Sequence, residues 1–486
     1  MRDYGYVGDL SVKDGRYFPS KAPLLSFAAV PIYAALRVLG GGYRYAVREL
    51  PLVYFARLFL TVLPTLLMLP FLHRFLRAYV DERVADGMTA TYALGSLALS
   101  YSLLFMSHQT AAVLAFAAFL SMWHTLRGDG RAAGYALAGA FAGAAFATEY
   151  TSALALLGVA LYGAVAILSS AAAAHDKIRR GLSALAFAAA GAAPFAIGLM
   201  LYHWACFGHP LHTGYRYLAD VAYQPWHTGG FFGIRLPEAR AFLLSFFSPL
   251  RGLFALAPFL LLAFFGFGVL LSRSRGKPVD RAIFWMTLAL LCFYAYFTSS
   301  FSYESWGWTT GPRHLTTLVP FLVLPCALAV QWLSERSSSR ALVVRGAAAG
   351  LCAASVLITG LVSLVNYIPD SASNALFGLA IPLLRSGYWP PSLWTLLGVH
   401  GPWPGILLVA AVVSAALLAG LIPVGGDPPN RASTSGGPAL AAVAVVAMCL
   451  VSLSLARDPA RDAGALGHLK SAWLTQEHGP VQSSAR

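Results

Sequence analysis

Charged residues are scarce in this sequence. Asp, Glu, Lys and Arg make up 11% of its 486 residues, whereas a soluble domain of ordinary composition carries about 25%. Apolar residues reach 58%, and the mean hydropathy is +0.65. Because so little charge cannot cover a water-exposed surface of this size, the composition excludes a soluble multidomain enzyme and a disordered scaffold. We expect membrane lipid to be the main solvent of the chain.

Paired cysteines and basic stripes are also missing. The five cysteines stand singly, without a Cys-x-x-Cys spacing, which excludes a disulfide framework and gives no thiolate metal site. The net charge is +14, but the basic residues are dispersed over short loops, so nucleic acid is not an expected partner. Since only five of the 34 basic residues are lysines, a lysine in an unusual position is informative.

Long apolar runs are what the sequence has in abundance, and a bilayer crossing takes about 20 such residues. They predict transmembrane helices near 50–72, 88–106, 109–125, 132–148, 151–172, 183–204, 253–271, 282–299, 315–333, 345–366, 404–422 and 438–456. A shorter, proline-interrupted apolar stretch at 23–36 predicts a helix in the membrane interface. The predicted fold is thus an all-α polytopic membrane protein with about 12 transmembrane helices, an interfacial helix on the outer face and outer loops.

The charge of the loops predicts their orientation. One set is short and rich in Arg and Lys, and the positive-inside rule assigns it to the cytoplasm, so the longer loops face outward. Four segments follow: an outer loop with the interfacial helix (1–49), a transmembrane core with outer loops (50–334), C-terminal transmembrane helices (335–456) and a polar, poorly ordered tail (457–486). Met1 then lies outside with no apolar segment before it, so we expect a first transmembrane helix and part of its loop upstream of Met1.

Ionisable residues at the outer ends of apolar helices are the main functional signal. Lys21 precedes the interfacial stretch, where its long stem reaches a lipid-linked phosphate or simply snorkels to the headgroups. His108 and Glu149–Tyr150 occupy tight outer turns, where they line a cavity or only contact headgroups. Arg57 lies inside the first predicted span and needs an acidic partner, for which Glu49 and Glu149 are candidates.

The outer loop at 205–252 interleaves aromatic rings, glycines and single arginines, including Arg251. Flat rings cover a sugar face and arginine forks onto phosphate, so this loop predicts a sugar or phosphate groove. His209, His212 and His227 lie in it, but without an acidic ligand at a fixed spacing they predict no metal site.

A second outer loop ends in Gly311-Pro312-Arg313-His314, directly before a predicted span. The Gly-Pro turn aims Arg313 at one place. Trp306, a few residues earlier, is typical of an interfacial aromatic belt and equally of a cavity wall.

Several of these stretches, in this order, resemble the GT-C superfamily of polytopic glycosyltransferases, in particular bacterial relatives of protein O-mannosyltransferases and of the lipid A aminoarabinose transferase. The resemblance covers most of residues 10–330. The matching stretches are Asp14-Gly-Arg-Tyr17-Phe-Pro-Ser-Lys21-Ala-Pro23, Ser107-His108, Thr148-Glu149-Tyr150, Phe247-Ser-Pro-Leu-Arg251-Gly-Leu-Phe254 and Trp306-Gly-Trp-Thr-Thr-Gly311-Pro-Arg313.

The resemblance implies a multi-pass protein of the bacterial inner membrane that takes a sugar from a polyprenyl-phosphate carrier and passes it to a lipid, glycan or protein acceptor on the periplasmic side. Phosphate and substrate contacts are then expected from Lys21, Arg313, Arg251 and Tyr17. The expected cavity lining is Arg57, His108, Glu149, Tyr150, Trp306 and His314.

The resemblance also leaves questions open. The family's catalytic acid precedes the lysine motif, and no paired acids precede Lys21, so we expect the general base upstream of Met1 and an inactive chain without it. No cofactor is assigned, and a divalent cation stays an alternative because some members of the superfamily need one. Two other functions compete: a transporter or flippase of lipid-linked sugars, although no repeats or broken mid-membrane helices are evident, and a truncated, non-catalytic relative that only binds lipid.

Overall fold

Helices dominate the computed structural model, which describes residues 9–40, 49–128, 130–230, 233–301, 307–336, 338–390, 402–421 and 437–473, together with Ser392 and Leu397. Helical residues account for 78% of the structure, and the all-α class is confirmed. The sheet within the described residues is one antiparallel hairpin of β1 (Leu10–Lys13) and β2 (Arg16–Pro19).

The first half of the chain forms helices that run back and forth between two ends of the molecule. They are α1 (Leu24–Leu39), α2 (Glu49–Arg57), α3 (Leu63–Arg77), α4 (Glu82–Leu94), α5 (Leu97–Ser102), α6 (Ser107–Arg127), α7 (Ala132–Thr148), α8 (Ala153–Leu168), α9 (Ala174–Phe207) and α10 (Gln224–Thr228). A π-helical turn at Leu58–Val62 joins α2 to α3. Short 3₁₀ turns lie at Tyr150–Ser152, Gly214–Tyr217 and Val221–Tyr223.

The second half continues the same pattern. Its helices are α11 (Ala239–Phe247), α12 (Leu253–Leu256), α13 (Leu262–Arg273), α14 (Pro278–Ser300), α15 (Val319–Ser334), α16 (Ser339–Val365), α17 (Ile381–Arg385), α18 (Trp403–Leu421), α19 (Gly437–Leu455) and α20 (Pro459–Trp473). Two 3₁₀ turns, Pro258–Leu261 and Arg313–Thr317, and a π-helical segment, Ala375–Ala380, complete the described elements.

Eight helices among the described residues are long and apolar enough to cross a bilayer. They are Pro51–Arg77, Ser107–Arg127, Tyr150–Leu168, Ala174–Phe207, Pro278–Ser300, Ser339–Val365, Trp403–Gly420 and Gly437–Leu455. Each overlaps one of the twelve predicted spans. Several long apolar helices indicate a membrane-embedded protein, but the count of twelve is not confirmed, because the predicted spans at 132–148, 253–271 and 315–333 form shorter apolar helices.

The predicted span at 88–106 is not one helix. It breaks between α4 and α5, at Gly95 and Ser96. Gly95 is packed so closely that a Cβ there would lie 3.0 Å from the backbone nitrogen of Val356 on α16. Ser96 begins the next helix by accepting a hydrogen bond from the backbone nitrogen of Ala98 at 3.1 Å. The sequence showed no broken helix, and this break corrects that expectation. Hydropathy does not register it, because glycine is common in membrane helices.

Helix α15 lies at the centre of the bundle. All but two of its sixteen residues are buried, so its apolar composition serves packing inside the protein. Its Phe321 meets Phe116 and Phe119 of α6 at ring distances of 5.4 and 5.7 Å. Such aromatic contacts fix α6 against α15 and thereby the relative height of their ends.

Helices α7 and α9 approach each other through small residues. A Cβ at Gly139 would lie 1.9 Å from the carbonyl oxygen of Ala188, and one at Gly191 would lie 1.9 Å from that of Ala136. Only glycine fits at these two positions, as is usual where membrane helices cross closely.

The C-terminal segment differs from the expected polar, poorly ordered tail. Residues 459–473 form α20, whose Ala465 and Leu469, four residues apart, are buried. Asp462 accepts hydrogen bonds from the backbone nitrogen of Ser373 at 2.8 Å and from its hydroxyl at 2.9 Å. The sequence did not predict this helix, because a two-residue apolar face with one buried acid is too weak a pattern in a polar stretch. The rest of the predicted tail, residues 474–486, lies outside the described residues.

Candidate functional site

The β-hairpin sets the position of Lys21. Its two-residue turn is Asp14-Gly15, and both residues have positive φ, 50° and 71°, as this tight turn requires. Ser11 Oγ donates to the carbonyl of Gly214 at 2.6 Å and fastens the hairpin to the outer loop. Lys21 then follows β2, with its Nζ 3.2 Å from Asp9 Oδ1.

An aromatic pair lies directly beside Lys21. Its ammonium sits 5.4 Å from the centre of the Tyr215 ring, within cation–π range. The other neighbour of that ring is His227, stacked at 4.2 Å with an interplanar angle of 21°. The Lys21 side chain is 36% exposed, so this edge of the site is open to solvent.

The ends of two helices bring a carboxylate to the interior. Glu149 lies between α7 and α8, and its side chain is 9% exposed. Ser107, the first residue of α6, donates its hydroxyl to Glu149 Oε2 at 2.6 Å. His108 follows, with Nδ1 3.5 Å from the same oxygen. Thr151 donates to the other carboxylate oxygen, Oε1, at 3.2 Å.

Arg313 and His314 approach from the 3₁₀ turn before α15. Gly311 and Gly307 have positive φ, and a Cβ at Gly307 would lie 2.9 Å from Arg313 Nη1, so the guanidinium packs on that backbone. Arg313 Nε is buried and has no hydrogen-bond partner among the described residues. The His314 ring meets the His108 ring edge-on at 5.3 Å.

Electrostatics show that these groups lie near one another. Burial, followed by the charge of Arg313, lowers the pKa of Lys21. Burial works to raise the pKa of Glu149, but its neighbours, first His108 and the hydrogen bond from Ser107 and then Lys21 and Arg313, hold it below the usual value. Burial and then Arg313 hold the pKa of His314 well below its ordinary value. Burial and then Lys21 lower the pKa of His227 to about 4. The site therefore brings the side chains of Lys21 and Arg313 close to the Glu149 carboxylate and to imidazoles whose pKa values are lowered.

The structure therefore gathers five of the residues singled out in the sequence: Lys21, His108, Glu149, Arg313 and His314. Tyr150 borders the group, because its ring lies 6.2 Å from that of Tyr215 while its hydroxyl bonds to His203 Nε2 at 2.9 Å. Trp306 lies outside the described residues.

Two expected contacts are placed elsewhere. Tyr17 is 58% exposed, on the hairpin face opposite to Phe18, which packs against Phe207. Arg251 is buried and forms an ion pair with Asp370, while its Nη2 donates to the carbonyl of Ile368 at 2.9 Å. Through these contacts Arg251 links the 205–252 loop to the segment that follows α16.

Arg57 has no acidic partner among the described residues. Its Nε is buried without a hydrogen bond, and Glu149 bonds instead to Ser107 and Thr151. The other candidate, Glu49, has a side chain outside the described part of the chain.

The histidines of the outer loop do not gather. His209 and His212 stack on each other at 4.3 Å, and His212 Nδ1 bonds to the hydroxyl of Tyr217 at 3.1 Å. The His227 ring stacks on Tyr215 instead.

Sequence reasoning missed Asp9, Thr151 and Tyr215. Thr151 carried a usable signal, because it lies two residues from Glu149 in the same outer turn. Tyr215 belongs to the aromatic 205–252 loop that predicted a groove, but nothing in the sequence placed it beside Lys21. Asp9 carried no signal, since only the pairing of the hairpin with that loop brings these residues together.

Two cations beside a pair of stacked rings are suited to bind an anion that carries a flat or ring-shaped group. No family model, curated protein or solved structure matches the chain. The helices and this buried group define an α-helical, membrane-embedded protein with a charged site at the shared ends of α6, α8 and α15.

Proposed function

We propose that the protein is a membrane glycosyltransferase of the GT-C type, which moves a sugar from a polyprenyl-phosphate carrier to a lipid, glycan or protein acceptor on the outer face of the bacterial inner membrane. The observation that supports this most is the approach of Lys21 and Arg313, 292 positions apart in the sequence, to one carboxylate and one aromatic pair. Two cations so close together repel each other, and an anionic substrate offsets that repulsion.

The chemistry of such a transfer needs cations at this place. The acceptor oxygen attacks the anomeric carbon, the bond between that carbon and the phosphate oxygen breaks, and polyprenyl phosphate leaves with the bonding electrons. Lys21 and Arg313 stabilise the charge that grows on the leaving phosphate. The acceptor proton passes to a base. The stacked rings of Tyr215 and His227 border the site, where their edges contact a sugar.

The number of membrane passes is part of the same proposal. The shorter apolar helices Ala132–Thr148, Pro258–Arg273 and Val319–Ser334 supplement the eight long ones, and α4 with α5 forms a broken crossing. Together they give about twelve passes. Helix α1 exposes Phe27 and Val38, 56% and 76%, which suits contact with lipid at the interface.

The experiment measures release of polyprenyl phosphate, since this product is the same whichever acceptor is used. The full chain, purified in detergent, is incubated with a radiolabelled polyprenyl-phosphate sugar and a solubilised membrane extract as the source of acceptors. Detergent abolishes compartments, so a transporter or flippase releases no product. The proposal is wrong if, for a panel of common hexose and aminopentose donors, the chain neither releases polyprenyl phosphate above a protein-free blank nor binds the donor.

Variants at the cationic pair sharpen this test. We expect Lys21→Ala and Arg313→Ala each to weaken binding of a short polyprenyl phosphate by about 10- to 100-fold, because a charge-assisted hydrogen bond contributes about 1.5–3 kcal/mol. Lys177→Ala is the matched control. Its ammonium donates to the carbonyl of Leu168 at 3.0 Å near the start of α9, a helix whose other end packs against the hairpin. Equal affinity in all three variants would contradict the assignment.

A further inference from the structure

Three side chains with metal-ligating atoms converge inside the site. His108, Glu149 and His314 each offer one nitrogen or oxygen, and these three atoms lie within 4.8 Å of one another. All three residues are buried, at 4%, 7% and 9% exposure. They come from three separate elements: the first turn of α6, the turn before α8 and the 3₁₀ turn before α15.

The contact between His108 and Glu149 has the dimensions of two ligands that share a cation. Nδ1 of His108 faces Oε2 of Glu149 at 3.5 Å, too long for a good hydrogen bond. That nitrogen is buried and has no hydrogen-bond partner among the described residues. A tetrahedral zinc site with bonds of about 2.0–2.1 Å places neighbouring ligand atoms about 3.3 Å apart. The two atoms therefore already stand close to the separation that such an ion imposes.

A second set of hydrogen bonds orients the same groups. Ser107 and Thr151 donate to the two oxygens of Glu149 and hold the carboxylate plane. The Thr151 hydroxyl donates its proton to Glu149, so the Thr151 oxygen can only accept from His314. The donor is Nδ1–H of His314, at 3.3 Å. This fixes His314 as the tautomer whose Nε2 carries the lone pair. Metal-binding histidines are typically held through their other ring nitrogen in this way.

We propose that His108, Glu149 and His314 form a binding site for a first-row divalent cation, with Zn²⁺ as the best match. Two imidazoles and one carboxylate are a common ligand set for zinc, and three protein ligands leave one coordination position for a further ligand. The proposal does not depend on glycosyl transfer, because it rests on the ligand atoms and their hydrogen bonds.

The surrounding charges predict how this site behaves. Lys21 and Arg313 lie close enough to act on all three ligands, and they repel a divalent ion. Glu149 offsets one positive charge, and Asp9 offsets another at the open edge. Removing one of the two cations therefore strengthens metal binding, whereas removing a ligand weakens it. A cluster that is only a hydrogen-bonded network shows neither effect.

The test is a titration of the full chain, purified in detergent and stripped with a chelator. Calorimetry with Zn²⁺ measures affinity and stoichiometry, and Co²⁺ absorption reports the ligand set. We expect one ion per chain, and affinity losses of at least about 100-fold in His108→Ala and His314→Ala, since even the outer-shell partners of a metal site contribute about 10- to 100-fold. We expect Lys21→Ala to bind Zn²⁺ several-fold more tightly.

His227→Ala is the matched control, because His227 is a neighbouring histidine that stacks on Tyr215 and lies outside the three ligands. Glu149→Gln keeps the shape of the side chain and serves where an alanine variant fails to fold. Absence of a stoichiometric site in the wild-type chain overturns the proposal. So does a His227→Ala loss equal to that of His314→Ala, or wild-type affinity in Glu149→Gln.

Discussion

The two ends of helix α6 differ in how their charged residues are partnered. At its last turn, Arg127 lies 3.9 Å from Asp280 and over the ring of Trp123. Asp280 in turn accepts from the hydroxyl of Tyr79 at 2.8 Å, and that hydroxyl accepts from Trp123. Each of these four side chains has a polar or charged partner.

At the first turn of α6, about 30 Å away, two cationic side chains lie close to each other. Lys21 and Arg313 approach the same carboxylate, and His108 Nδ1 and Arg313 Nε are buried without hydrogen bonds in the described part of the chain. A buried polar atom without a partner costs free energy. The difference separates a cluster that holds helices together from one that is arranged for a ligand.

Arg251 gives the largest test of this distinction, because it lies in the 205–252 loop yet forms an ion pair with Asp370. We expect Arg251→Met to lower the free energy of unfolding by about 1.5–3 kcal/mol, since it leaves the carbonyl of Ile368 and the partly exposed Asp370 without their donor. Thermal unfolding in detergent measures it. Lys21→Met, a matched change at the site, should cost less than about 1 kcal/mol. Equal losses of stability in the two variants would contradict the distinction between a structural and a ligand-binding cluster.

The sequence alone placed the apolar helices well, because hydropathy is additive along a span and needs no knowledge of neighbours. It singled out Lys21, His108 and Glu149 for the same local reason: an ionisable group at the end of an apolar helix is unusual. It did not show that Arg251 meets Asp370, 119 residues later, because nothing in a single sequence records which loops pack together.

The break between α4 and α5 and the docking of α20 were hidden for a related reason. Gly95 is required by the approach of α16, and Asp462 is required by Ser373, so both depend on contacts formed only after folding. The convergence of His108, Glu149 and His314 likewise needed the relative heights of three helices, which aromatic packing against α15 helps to fix.

The pH dependence of stability gives a smaller test at the charged end. His227 has a folded pKa of about 4, below the ordinary value of about 6.5. The unfolded chain therefore binds this proton first as the pH falls, so the contribution is fully present above pH about 6.5 and is lost toward pH 4. We expect the free energy of unfolding to fall less steeply with decreasing pH in His227→Phe than in the wild type, by no more than about 1.4 kcal/mol per pH unit. Unfolding temperatures at pH 7.5 and 5.0 measure the difference. Parallel curves for variant and wild type would contradict the assigned pKa.

The smallest effect is expected from a pair at the opposite end that is open to water. Arg273 donates to Glu335 at 2.6 Å, but the side chains are 36% and 42% exposed. Arg273→Ala should lower the free energy of unfolding by less than about 1 kcal/mol, because solvent screens exposed ion pairs. A denaturant or thermal titration checks it, and a loss as large as that of Arg251→Met would show that pairing matters more than burial.

Asp9 has a consequence for selectivity. Its carboxylate is 62% exposed, is held in place by the hairpin and forms an ion pair with the ammonium of Lys21. Any incoming anion must displace this built-in competitor, which is always present at high effective concentration. Because both side chains are partly exposed, this ion pair is weak. A ligand that also engages Arg313 therefore displaces the tethered acid readily, while Asp9 shields Lys21 when no such ligand is bound.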